Sequence, residues 1–124
     1  INGAEQIKMW GTGKPQRDFV YAGDVARLIP FFIDSYNEIG PVNISTGKTV
    51  SIRELAETVA DLTDFGGDIH WDTEKPDGQM VKIFATDRLK ALGLSCDTSL
   101  KEGLKKTIGW FAKNYADKGD GLRL

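Results

Sequence analysis

Residues 41–62, Pro41-Val42-Asn43-Ile44-Ser45-Thr46-Gly47-Lys48-Thr49-Val50-Ser51-Ile52-Arg53-Glu54-Leu55-Ala56-Glu57-Thr58-Val59-Ala60-Asp61-Leu62, change hydrophobic period midway. Pro41 to Ser45 alternates apolar with polar residues in the manner of a strand and leads into Thr46-Gly47. From Ser51 to about Asp64 the apolar residues Ile52, Leu55, Ala56, Val59 and Leu62 recur at helical spacing and form a stripe to be buried. Ser51 and Glu54 make a capping box, and Val50 with Leu55 is placed as a hydrophobic staple. A strand feeding a helix is the building unit of an α/β fold, and the flanks repeat it.

Upstream, Gln6–Trp10 mixes β-branched and aromatic residues and ends at Gly11-Thr12-Gly13-Lys14-Pro15, as a short strand closed by a turn does. Asp18-Phe19-Val20-Tyr21 also favours a strand. A helix is then expected from near Asp24, whose carboxylate is placed to cap the first free amides, with Val25, Leu28, Ile29, Phe32, Ile33 and Tyr36 on one face. Pro30 lacks an amide donor and disfavours helical geometry at Ile29, so a kink or a short first turn is expected there.

Downstream, Asp68-Ile69-His70-Trp71 reads as a strand, and Pro76-Asp77-Gly78 as a turn. A short helix is expected around Arg88–Leu92, stopped by Gly93, and Ser99 with Glu102 opens a last helix whose stripe is Leu100, Leu104, Ile108, Phe111 and Tyr115. Gly103 and Gly109 inside it each cost about 1 kcal/mol relative to alanine. The tail Asp117-Lys118-Gly119-Asp120-Gly121 is expected to fray.

A chain of 124 residues with 40% hydrophobic residues fits one domain with a real core. Its net charge of −2 gives no broad field for a nucleic acid, so any phosphate chemistry must be local. The single Cys96 forms no internal disulfide and, lying in a polar stretch, reads as an incidental surface thiol suited to a reducing cytosol. No apolar run approaches the roughly twenty residues that span a bilayer, so a cytoplasmic protein without a membrane partner is expected. The chain opens on Ile1-Asn2-Gly3 rather than methionine, which suggests a piece of a longer protein.

Gly11-Thr12-Gly13 invites a dinucleotide-loop reading, but Gln16 stands where the third glycine belongs and no helix is expected to follow. One histidine and one cysteine far apart make no metal site, and His70 alone reads as structural or solvent-facing. What remains suits a phosphorylated sugar: Arg17 just before a strand, Trp10 seven residues earlier, and the Asp77-Gly78 turn followed by Lys82. A guanidinium fork matches phosphate oxygens and an ammonium adds a compact charge. By spacing alone, however, Arg17 and Lys82 read more often as solvated surface charges and Trp10 as core, so the site is the minority reading.

Trp10-Gly11-Thr12-Gly13, Arg17-Asp18-Phe19-Val20-Tyr21, Asp24-Val25-Ala26, Asn43-Ile44-Ser45-Thr46-Gly47 and Ser51-Ile52-Arg53-Glu54-Leu55-Ala56, in that order, resemble the C-terminal half of extended short-chain dehydrogenases of the NAD-dependent epimerase/dehydratase family. Lys75-Pro76-Asp77-Gly78 with Lys82 is similar to the turn of the branch acting on GDP-linked sugars, and Trp110–Tyr115 fits the terminal helix. The resemblance implies a small α/β substrate-binding domain over 1–124, with short strands and three or four helices, lacking the NAD(P)-binding Rossmann domain. It implies that Trp10, Arg17, Asp77 and Lys82 contact a nucleotide-diphosphate sugar, Arg17 and Lys82 at its phosphates and Asp77 at hydroxyls.

In this family the chemistry belongs to a nicotinamide cofactor and a Tyr-x-x-x-Lys pair. Tyr21, Tyr36 and Tyr115 are followed four residues later by Val25, Gly40 and Gly119, so this chain is expected to bind and orient but not to react, and to hold no cofactor itself. NAD or NADP is implied for the full-length enzyme, as is a homodimer, with this piece a monomer. A UDP- or dTDP-sugar enzyme, and a stand-alone binding module, are the alternatives to a GDP-sugar epimerase/reductase.

Overall fold

A computed structural model describes residues 5–118. The elements run β1 (Gln6–Trp10), β2 (Gln16–Arg17), α1 (Ala22–Asp34), β3 (Val50–Ser51), α2 (Ile52–Leu62), β4 (Asp68–Asp72), β5 (Val81–Lys82), α3 (Asp87–Ala91) and α4 (Leu100–Lys118). β1 and β4 pair in parallel over five residues, from Gln6 opposite Asp68 to Trp10 opposite Asp72. A parallel pair needs a long crossover, supplied here by the intervening helices. The second sheet has the order β3-β2-β5, with β2 antiparallel to β3 and parallel to β5. The result is the small α/β architecture expected: four helices on a few short strands.

The quoted stretch splits as a helix but not as a strand. Ser51 caps α2 by accepting from the Glu54 N–H at 3.0 Å. Pro41–Ile44 alternates outward and inward, with Val42 and Ile44 packed on the core and Ser45 buried after them, yet no neighbouring strand among the described residues ladders with it. The Asn43 side chain donates to the Ala85 carbonyl instead. Asp18–Tyr21 is likewise not a strand; the ladder is one step earlier, at Gln16–Arg17, so Arg17 lies within a strand rather than before one.

Helix α1 begins at Ala22 with Tyr21 as its N-cap, which makes no side-chain capping bond. Asp24 is therefore not the cap expected of it: it sits in the first turn, buried, and binds Thr98 far along the chain. The helix continues through Pro30 to Asp34, with Pro30 and Ala26, whose carbonyl loses its helical donor, both on the exposed side. Leu28 is buried as expected, but Ile29 and Ile33 are exposed.

The core centres on Leu28, Leu89 and Cys96, with Val20, Phe32, Val42, Ile44 and Leu94 around it. Cys96 is 7% exposed, so it is a core thiol and not the surface one expected from its polar neighbours. The α2 stripe is only half-buried; Ile52, Leu55, Ala56 and Val59, with Ile7, Met9, Phe65 and Ile69, line an apolar trough of about 280 Å³ between the helix and the β1/β4 sheet. In α4, Phe111 and Tyr115 stack on each other but are exposed. Gly103 has a packing role: a Cβ there would lie 3.3 Å from the Tyr21 Cβ, so glycine lets the helix approach that ring closely. Asp117 and Lys118 are the last residues of α4, while Ile1–Gly3 and Gly119–Gly121 lie outside the described residues. Among the described residues no helix is long and apolar enough to cross a membrane.

Candidate functional site

The four predicted residues ride on two chain segments that lie side by side, one containing Trp10–Asp18 and the other Asp77–Lys82. At one end Thr12 donates its N–H (2.6 Å) and its hydroxyl (2.7 Å) to the two oxygens of Asp77. Further along, the Gln16 N–H donates to Met80 O at 2.7 Å and the Asp18 N–H to Lys82 O at 3.3 Å. This zipper makes Arg17 and Lys82 direct register partners across β2 and β5. Register partners in a parallel pair project to the same face, so the two cations share one side of the sheet.

Neither cation has a carboxylate partner among the described residues. The Arg17 Nη1 donates to the Gln16 carbonyl at 2.7 Å, and the Lys82 ammonium lies 5.7 Å from the centre of the Phe84 ring. Like charges directly opposed on adjacent strands destabilise a sheet. Both groups keep only uncharged partners, which an anion could displace.

Trp10 is the last residue of β1 and is 73% exposed, so the core reading that spacing allowed does not hold. The Lys75 ammonium stands 5.9 Å from its ring centre. The loop that follows is pinned: Gly11 N–H donates to Asp72 O, Arg53 Nη2 donates to Thr12 O at 2.8 Å, and the Arg53 N–H donates to Gly13 O at 2.9 Å. Gly13 has φ +75, and a Cβ there would sit 2.7 Å from the Trp71 ring, so the loop tolerates only glycine at this point.

Asp77 is thus committed to the loop. The Thr12 N–H and hydroxyl hold its carboxyl below the usual value against a smaller opposing effect of burial, with Lys14 adding to the lowering. Asp18, beside Arg17, does the same for the next turn: Thr46 donates its N–H at 3.2 Å and its hydroxyl at 2.6 Å, and Gly47 donates its N–H at 2.9 Å. Burial pushes Asp18 up, but hydrogen bonds from Thr46, Ser45 and Gly47 together hold it below its ordinary value. Sequence reading missed Thr12, Asp18 and Arg53 as parts of this framework. The hydroxyl and glycine next to each anchor were the available signal.

The Gly11–Gly13 amides do not suit a dinucleotide pyrophosphate. Those of Gly11 and Thr12 are spent on Asp72 and Asp77, and the loop enters β2 rather than a helix. No group of three or more potential metal ligands exists among the described residues, and His70 is exposed. A cavity of about 510 Å³ lies elsewhere, between the Ser45–Lys48 turn, α3 and the Leu94–Leu100 segment. None of the four predicted residues lines it, nor the α2 trough, nor a third cavity of about 220 Å³ beside Tyr21 and Gly103.

Residues 1–45 match the NAD dependent epimerase/dehydratase family. GDP-L-fucose synthase 1 of Arabidopsis thaliana is 41% identical over 118 residues, 95% of this chain and 36% of that protein. Among solved structures, a GDP-L-fucose synthetase from Naegleria fowleri bound to NADP superposes with a TM-score of 0.83 at 30% identity, covering 90% of this chain and 36% of the other. UDP-glucose 4-epimerase from Thermotoga maritima with UDP-glucose gives 0.76 at 26% identity, covering 88% and 35%. The chain thus spans about a third of the length of the relatives it matches. The class it resembles is the extended short-chain dehydrogenases of the NAD-dependent epimerase/dehydratase family. Within that class the proteins it is similar to include GDP-L-fucose synthases.

Proposed function

We propose that residues 1–124 form the substrate-binding domain of an NAD(P)-dependent nucleotide-sugar epimerase/reductase of the GDP-L-fucose synthase kind, acting on a GDP-4-keto-6-deoxy sugar. The observation that carries this reading is the register pairing of Arg17 with Lys82 on one face of the β2/β5 ladder. Two cations opposed without a carboxylate partner among the described residues suit a diphosphate, the guanidinium supplying a planar fork and the ammonium a point charge. The exposed Trp10 offers an apolar face to the guest. Asp77 sets the loop's shape, and its remaining lone pairs accept from sugar hydroxyls. The nicotinamide and the acid–base tyrosine belong to another part of the enzyme, which supplies the hydride and proton chemistry; this chain binds and orients.

Calorimetric titration with a GDP-sugar tests it. Arg17→Ala should weaken binding by about 1.5–3 kcal/mol while barely changing stability, as loss of a charge-assisted bond to phosphate requires. An equal loss of folding stability overturns the assignment, as does RNA binding with a steep salt dependence. The likeness to a UDP-glucose 4-epimerase supports a second reading, a UDP-sugar substrate. Competition between GDP and UDP for the same site separates the two.

A further inference from the structure

We infer that Arg53 is a positioning residue of the proposed sugar-nucleotide site, acting from the first turn of α2 through the Thr12 peptide. The inference rests on the reading above and deepens it. Thr12 lies two residues after Trp10 and five before Arg17, so its peptide sets how the two ligand groups stand relative to each other.

Every polar group of Thr12 is held by something remote in sequence. Asp77 takes the N–H and the hydroxyl, and Arg53 takes the carbonyl at 2.8 Å. Arg53 is itself fixed in two ways. Its backbone N–H donates to Gly13 O, and its guanidinium lies 4.6 Å from the centre of the Trp71 ring. Trp71 is in β4, directly opposite Met9 of β1, the residue before Trp10. One side chain therefore ties the start of α2 and the face of β4 to the loop that follows β1. A planar guanidinium can lie flat on an indole and still direct an N–H at a carbonyl in its own plane. An ammonium cannot do both.

The geometry separates this role from a direct ionic one. A charge meant only to attract an anionic guest would work equally as lysine. A charge meant to fix Thr12 O while stacked on the Trp71 ring uses the plane of the guanidinium.

The test uses the enzyme that contains this chain and compares wild type with Arg53→Met, Arg53→Lys and Arg17→Ala. Affinity for a GDP-sugar is measured by calorimetry and backbone protection by amide hydrogen exchange. Arg53→Met and Arg53→Lys are each expected to lose about ten-fold in affinity, the size of one lost charge-assisted hydrogen bond. Exchange should quicken at Thr12, Gly13 and Lys14, with protection in α4 unchanged. Full restoration by Arg53→Lys, an unchanged affinity in a folded Arg53→Met, or a loss of protection spread evenly over the chain overturns the inference. If Arg17→Ala also binds as wild type does, the nucleotide-sugar reading itself fails. If Arg17→Ala weakens binding and Arg53→Met does not, only the positioning role fails.

Discussion

Thr98 donates its N–H to one oxygen of Asp24 and its hydroxyl to the other, each at 3.0 Å, across 74 residues of sequence. Thr12 grips Asp77 in the same way, and Thr46 grips Asp18 with both groups on one oxygen. Three carboxylates thus anchor three turns, each through the paired donors of one threonine. Asp24 is the buried member, at 8% exposed, and Arg27 lies 3.6 Å from it. Asp24→Asn replaces an acceptor oxygen by a donor facing Thr98, so a loss of about 1–3 kcal/mol is expected by urea unfolding. An unchanged midpoint would remove Asp24 from the framework.

The same anchors set the response to acid. Burial raises Asp24, yet the Thr98 bonds and Arg27 outweigh it and leave its carboxyl below the ordinary value, as the bonds to Asp18 and Asp77 do for theirs. A carboxyl depressed in the folded state binds protons more readily when unfolded. Its contribution is therefore complete above the ordinary carboxylate value of about 3.9 and is withdrawn as pH falls through the lower folded value. Thermal midpoints should be flat from pH 7 to about 5 and fall below about 4. Thr98→Val should start lower and fall less steeply. Parallel curves for the two proteins would show that Asp24 does not contribute.

Cys96 offers a probe of the core. Burial pushes its thiol up, with Asp24 adding in the same direction and Arg27 opposing. A thiol that is both covered and reluctant to ionise reacts only after opening. Alkylation by iodoacetamide should be negligible at pH 8 in the folded protein and appear with the unfolding transition in urea. Rapid labelling under native conditions would contradict the packing around Leu28 and Leu89.

The helices were legible because their signals are local: Ser51 and Ser99 open α2 and α4 by accepting from Glu54 and Glu102, as their spacing indicates. The strands were less so, since pairing depends on partners distant in sequence. Val42 and Ile44 alternate inward without a ladder, whereas β2, β3 and β5 are two residues each and carry no period to read. Cys96 misled because its neighbours are polar while its own side chain turns to the core. Arg17 and Lys82 were recognised by resemblance; their register pairing is visible only once Gln16–Arg17 and Val81–Lys82 are seen to ladder. Ile29 and Ile33 show that a helical stripe can be wider than the face that is covered.

The Arg17–Lys82 pairing predicts opposite effects on stability and binding from one substitution. In the free protein Lys82→Gln removes a like charge facing Arg17 and leaves a shorter, neutral polar side chain, so stability should stay level or rise, by at most about 1 kcal/mol. With a diphosphate bound the same ammonium is a source of attraction, so affinity for a GDP-sugar should fall several-fold. Added salt should shrink both effects, because each is Coulombic and at least partly exposed to solvent. Denaturant midpoints and binding constants for wild type and Lys82→Gln at low and high ionic strength measure the two together. A substitution that lowers stability and leaves affinity unchanged would mean that the ladder needs Lys82 for packing against Phe84 and that the two cations share no guest.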